Sequence, residues 1–229
     1  MTRETWEQKG GAGRRGPRKS SQFDGKLGLI LQTGARMFTE RGYENTSLDN
    51  IAEKLKIHKT TIYHYIKQKE DILYQALMIT IEGLGGALEE AETGVEPPLE
   101  RLKRFFLALV EVQTTDFGRC LCQIGPQPLS KEPGKKIKKE MRRMDKAVRD
   151  LVTQGIAEGS IRPCDPKLVS AMLFGAFNSL VRWYRKGGAY APSDVGNAYL
   201  DFFVNGIATR GAPRSGTVLE ASEKKALVL

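Results

Sequence analysis

Apolar residues in this chain recur at intervals of three and four in segment after segment, and no stretch alternates with the two-residue period of a strand. Leu27, Ile30, Leu31, Ala35 and Phe38 set the pattern, and Gly42 stands where a helix C-terminus favours a left-handed residue. A second helix is expected over residues 47–55, burying Leu48, Ile51, Ala52 and Leu55. Thr46 is its expected N-cap, with Asp49 three residues on facing the free backbone N–H groups. After a turn at Lys56 and Ile57, a short third helix covers residues 59–65. A longer fourth begins near Lys69, and Gly83, Gly85 and Gly86 weaken its middle. Gly94, Pro97 and Pro98 break the chain. Further helices are expected over residues 99–114, 117–128 (short, with turns), 135–158, 167–186 and 193–210. The sequence therefore predicts an all-α fold.

The organisation that follows is a disordered basic arm over residues 1–23, a three-helix unit over 24–70, a larger helical domain over 71–211 and a polar tail over 212–229. The arm carries Arg3, Lys9, Arg14, Arg15, Arg18 and Lys19 among glycines and cannot bury enough apolar surface to order itself. Across the 229 residues, 36 basic and 27 acidic side chains leave a net charge of +9, which suits a polyanionic partner. The first 25 residues lack a signal-peptide core and no run of eighteen apolar residues occurs, so no membrane association and a cytoplasmic location are expected. Three cysteines, Cys120, Cys122 and Cys164, cannot all pair within one chain, and the two histidines, His58 and His64, give a zinc site little support. No metal and no cofactor are expected.

Two short helices meeting across a turn, the second bearing Lys59, Thr60, Thr61, Tyr63, His64 and Tyr65, have the character of a helix-turn-helix. A helix fits the DNA major groove, and hydroxyl, aromatic and cationic side chains on its outer face can meet base edges and phosphates. The segment TSLDNIAEKLKIHKTTIYHYIKQKEDIL, preceded by ILQTGARMFTERGYENT, resembles the N-terminal domain of the TetR family of bacterial transcriptional repressors over about 45 contiguous residues. That resemblance implies a DNA-binding homodimer whose last two helices pair as a four-helix bundle. It implies that Ile51 and Ala52 pack the motif, that Thr61, Tyr63 and His64 face DNA, and that Lys69 meets a phosphate. Lys59 and Thr60 fall where the family varies its base-reading residues, and Thr46 and Ser47 complete the candidate DNA-binding set. Lys56 replaces the family's usual turn glycine, His58 its Ser/Thr cap and Ile66 its phenylalanine. The competing interpretation makes Tyr63 and Tyr65 core aromatics and the lysines a solvated face.

Residues 131–149 hold nine basic side chains against Glu132, Glu140 and Asp145. Such a run is usually a solvated helix face; the alternative is a cationic mouth for a phosphorylated effector, built from Arg142, Arg143 and Lys146. LVRWYRKGGAYAPSDV resembles the penultimate-helix ending of TetR-family members that answer to acyl-CoA thioesters. The implied partner is a small hydrophobic effector. Phe105, Leu109, Phe117, Phe177 and Val181 are candidates to line its pocket, Asn178 to anchor its polar part, and Arg142 and Arg143 to meet its phosphates. The arm's GRRGPRKS offers either a minor-groove contact or a non-specific tail. Cys120 and Cys122 are either a redox pair or packed thiols. Two rival functions remain: a ligand-independent architectural DNA-binding protein, and an enzyme, for which no nucleophile and base stand in a recognisable pattern.

Overall fold

The computed structural model describes residues 25–206. Among them the chain is helical throughout, with no strand: α1 (Lys26–Arg41), α2 (Leu48–Leu55), α3 (Lys59–Tyr65), α4 (Lys69–Gly83), α5 (Gly85–Thr93), α6 (Pro98–Gln113), α7 (Asp116–Gln123), α8 (Lys131–Glu158), α9 (Pro166–Trp183) and α10 (Pro192–Asn205). The arm and the polar tail lie outside the described residues.

The expected punctuation holds at several boundaries. Gly42 ends α1 at φ 89°, and its N–H donates to the Phe38 carbonyl. Pro98, expected to be part of a break, is instead the first residue of α6, just as Pro166 and Pro192 are the first residues of α9 and α10, a position where a missing N–H costs nothing. α8 begins at Lys131, four residues before the expected start, because Pro133 falls within the first turn and removes no intrahelical bond there.

Three expectations are corrected. The fourth helix is divided rather than weakened: Leu84, fully buried with φ −93° and ψ −7°, separates α4 from α5. Thr46 is not the N-cap of α2. Its hydroxyl donates back to the Gly42 carbonyl at 3.0 Å, and Ser47 takes the cap, accepting from the Asn50 N–H at 3.1 Å. Asn50 returns the bond by accepting from the Ser47 N–H, so the reciprocal box uses Asn50 and frees Asp49 for another partner. Leu55 is half-buried rather than buried.

Ile30, Leu31, Phe38, Ile51, Ile62, Ile66, Ile72 and Leu73 form a core that joins α1–α3 to the start of α4. α1 approaches α4 closely at Gly34, where a Cβ would stand 2.6 Å from Cγ2 of Ile72. α7 packs against both α1 and α4 and against α6, and Gln32 of α1 donates to Asp116 of α7 at 3.0 Å. The three-helix head is thus braced on the larger helical domain by two elements, α4 and α7.

Candidate nucleic-acid interface and effector region

α2 and α3 meet through a turn set by Lys56, the one non-glycine residue with positive φ among the described residues (φ 54°, ψ 41°). Its N–H donates to the Glu53 carbonyl and the Ile57 N–H to the Ala52 carbonyl, so the left-handed residue satisfies the end of α2. The departure from glycine therefore carries strain on the order of 1 kcal/mol. Ile62 and Ile66 fix α3 to the core from below. With that face committed, Lys59, Thr60, Tyr63, His64 and Tyr65 are exposed, and Thr61 is half-buried.

Tyr63 is 52% exposed and Tyr65 42%, which removes the core-aromatic interpretation of both. Tyr65, absent from the sequence-based candidate set, stands edge-on to His64 with ring centroids 5.2 Å apart. Lys59 is paired with Asp49 at 2.6 Å, and that bond raises the lysine pKa first by hydrogen bonding and then by charge. Lys69 is turned toward the protein. Its ammonium donates to the Tyr43 carbonyl at 2.9 Å and lies 4.3 Å from the Tyr43 ring centroid, with Glu44 at 3.5 Å. Thr46, only 2% exposed, is in the core and corrects its assignment as a surface contact; Ser47 is exposed at the helix start.

In the larger domain Phe105, Leu109, Phe177 and Val181 are all buried, and Phe117 is half-buried. Phe106 and Phe174 join Phe105 and Phe177 in one aromatic cluster, the Phe106 and Phe177 centroids being 4.8 Å apart. Asn178 accepts from Nε2 of Gln113 at 2.6 Å. Gln113 is buried and its Oε1 has no partner, so an amide acceptor is held inside the helical core. Sequence reasoning missed Gln113 and also Arg119, which donates to the Tyr184 carbonyl at 2.7 Å and closes the end of α9. Neither position has a local signal.

The basic block of α8 divides. Arg143 holds Glu92 of α5 through two bonds of 2.8 and 2.5 Å, Lys146 holds Asp150 at 2.5 Å and Arg149 holds Asp145 at 2.7 Å. Arg142 is exposed. Cys120 and Cys122 are pushed up to about 12 and about 11 by burial, so both are thiols at neutral pH. A separate apolar groove of about 830 Å³ runs along α9 and α10, lined by Leu168, Met172, Phe177, Tyr199 and Phe202 among others. Of the candidate effector residues it includes only Phe177. No group of His, Cys, Asp or Glu able to hold a metal ion occurs among the described residues, and no helix there is long and apolar enough to cross a membrane.

A three-helix head presenting an exposed, polar and aromatic helix, mounted on a larger helical domain, defines a helix-turn-helix transcriptional regulator. Residues 30–76 match the bacterial regulatory proteins of the tetR family, and residues 95–207 match the tetracyclin repressor-like C-terminal domain. The HTH-type transcriptional repressor KstR2 of Mycobacterium tuberculosis is 30% identical over 197 residues, spanning 85% of this chain and 98% of that protein. The structure of that ketosteroid transcriptional regulator superposes with a TM-score of 0.76, covering 84% of this chain and all of the other. PfmR of Thermus thermophilus, a TetR family regulator, is 31% identical with a TM-score of 0.69, covering 79% of this chain and 99% of that one. AibR, solved with isovaleryl coenzyme A and operator DNA, shares the fold at 22% identity and a TM-score of 0.65, covering 77% and 96%. The chain belongs to the TetR family, and it is a transcriptional repressor of that type.

Proposed function

We propose that the protein binds a partly palindromic operator as a homodimer and is released by a small hydrophobic effector, a CoA thioester. The observation that carries the DNA part is the outer face of α3: Tyr63, His64 and Tyr65 are exposed side by side on a helix whose inner face, Ile62, is fully buried. Aromatic side chains left in water cost apolar hydration that a solvated face does not need. Two such helices, related by a two-fold axis, would enter successive major grooves about 34 to 36 Å apart.

The dimer is supported by α9 and α10. Leu168, Met172 and Phe202 are 61%, 53% and 54% exposed along one groove, and Ala171 and Gly175 beside them are small enough for a second helix to approach closely. A second copy of the chain covers this face in our reading, and the groove is its seam. The effector class is supported by the aromatic cluster around Phe177 with the Gln113–Asn178 amide pair at its edge, which offers an apolar wall and an unpaired acceptor for an amide N–H. The fold neighbour AibR, solved with isovaleryl coenzyme A, points the same way. Arg142 remains available to a phosphate, whereas Arg143 would have to leave Glu92 to take part.

The test is a duplex selected from a random-sequence pool by the wild-type protein. Tyr63→Ala should lower its affinity tenfold or more, by about 1.4 kcal/mol per tenfold step, with the far-ultraviolet spectrum unchanged. An acyl-CoA should release the duplex at concentrations where the free acid does not. Equal release by acid and thioester would overturn the CoA assignment, and unaltered affinity of Tyr63→Ala would overturn the assignment of α3 as the reading helix.

A further inference from the structure

The first turns of α8, residues 131–139, precede the candidate effector residues Arg142 and Arg143 and stand beside the DNA-reading head. Ser130, which precedes α8, donates its N–H to the Glu70 carboxylate at 2.7 Å, and Glu70 lies in the first turn of α4. One turn further, the Lys136 ammonium lies 5.8 Å from the Tyr74 ring centroid. Further still, Arg143 meets Glu92 of α5. α8 therefore runs alongside α4 and α5 in the same direction, starting at the head and climbing away at about 1.5 Å per residue. Only Ile66, Lys67 and Gln68 lie between the end of α3 and the start of α4, so the first turn of α4 lies at the edge of whatever α3 enters.

Charge partners divide α8 at the same place. From Arg143 onward each basic side chain has a carboxylate partner: Arg143 has Glu92, Lys146 has Asp150 and Arg149 has Asp145. In the proximal half Lys131, Lys138 and Lys139 are exposed and have no ion pair among the described residues, and Lys135 has only the exposed Glu132 at 2.9 Å. At 100° per residue Lys131, Lys135 and Lys138 fall in one narrow arc, opposite the buried Ile137, Met144 and Leu151. Three ammonium groups on one exposed stripe, of which only Lys135 has a carboxylate partner, repel one another unless a polyanion or counterions cover them. Resting on the operator reading above, we propose that the start of α8 is an accessory clamp for DNA phosphates flanking each half-site, with Lys131 and Lys135, nearest the head, making the contacts.

The experiment compares Lys131→Gln/Lys135→Gln with Lys103→Gln/Lys146→Gln, which removes the same charge at sites remote from the first turn of α4. The probe is the selected duplex, prepared with and without extra flanking base pairs, titrated over a series of salt concentrations and footprinted with hydroxyl radicals. The wild type should bind the flanked duplex more tightly. The α8 variant should lose that gain, lose backbone protection outside the half-sites, and show a log–log salt slope shallower by about 0.9 for each phosphate contact removed. The remote pair should keep all three. Equal behaviour of the two variants, or a footprint unchanged in the α8 variant, overturns the clamp. An unchanged footprint together with weakened acyl-CoA binding reassigns the lysines to the effector. A wild-type protein that selects no duplex at all overturns the operator reading itself, and the clamp with it.

Discussion

Gly118 in α7 lies against the backbone of the α6 terminus, and replacing it with alanine tests whether α7 is a rigid brace. A Cβ at this position would stand 2.1 Å from the Val112 carbonyl oxygen, 2.6 Å from Cα of Gln113 and 2.7 Å from the Val112 carbonyl carbon. Ordinary contact begins near 3.4 Å, so α7 must retreat by about 1.3 Å, and none of the three atoms is a side-chain end that can swing away. Retreat disturbs the bonds that seat α7: Gln32 to Asp116 at 3.0 Å and Arg119 to Tyr184 at 2.7 Å. Overpacking costs roughly 1–3 kcal/mol and each loosened bond about 1 kcal/mol more, while alanine recovers roughly 0.5–1 kcal/mol of unfolded-chain entropy.

Gly118→Ala should therefore lose about 3 kcal/mol, measured by urea denaturation followed by circular dichroism. Gly86→Ala is the control. It sits in α5 with nothing within 4 Å of its added Cβ, and it should be neutral or more stable by up to about 1 kcal/mol. A Gly118→Ala protein within about 0.5 kcal/mol of wild type, the range of an ordinary surface change, would refute the close approach of α7 to α6.

Lys56→Gly should stabilise the head by up to about 0.5 kcal/mol, because relief of about 1 kcal/mol of left-handed strain offsets glycine's entropy cost of roughly 0.5–1 kcal/mol, whereas Lys56→Ala should change little. A glycine variant that melts below wild type would contradict this. Met172→Glu places a charge in the α9–α10 groove and should convert a dimer to a monomer in sedimentation velocity; a variant that sediments as wild type would place the seam elsewhere. At pH 8, iodoacetamide should modify exposed Cys164 well before Cys120 or Cys122, whose thiolate fractions are about one in ten thousand and one in a thousand; equal labelling would show that α7 opens. The same burial has a pH consequence. Folded-state values above the ordinary 9.0 give stability that is complete below pH 9 and lost as pH rises toward about 11 and 12, so alkaline unfolding should be less steep in Cys120→Ala.

What the sequence made legible was whatever local chemistry decides. Gly42 placed the end of α1, and the break read at Pro97 and Pro98 falls within a residue of the α6 start, because backbone dihedrals and missing N–H groups act within a turn. The all-α class followed from the apolar period, whereas the outward face of α3 came from the family resemblance, against a core-aromatic alternative that the period left open. Thr46 and Ser47 are adjacent residues of similar capping ability, and what separates them is the Gly42 carbonyl that takes the Thr46 hydroxyl, a feature of the folded loop. The three glycines near residue 84 suggested a weak helix middle, yet the break falls at buried Leu84, which packing places. Arg143 finds Glu92 across 51 positions and Gln113 finds Asn178 across 65, separations at which no residue pattern speaks. The partners Glu92 and Gln113 are what the candidate effector set lacked.

Coupling between the two domains does not require α4 to bend at Leu84. α7 touches both ends of the route: Arg119 and Gln123 donate to carbonyls at the end of α9, at Tyr184 and Val181, while Asp116 accepts from Gln32 of α1. Phe177 and Val181, candidate effector contacts, lie on the same helix within two turns of its end. A ligand that shifts this end of α9 therefore pulls on α7, and α7 pulls on α1, which shares a core with α2 and α3 and moves them as one body. The energies match the task. A hundredfold change in DNA affinity needs about 2.7 kcal/mol of coupling, and one charge-assisted bond such as Arg119 to the Tyr184 carbonyl is worth roughly 1.5–3 kcal/mol. In the proposed dimer, loss or gain of that single tie would be enough to bias the spacing of the two heads, whereas flexion at a buried leucine would have to disrupt the packing of α4 and α5 against α6 and α8 first.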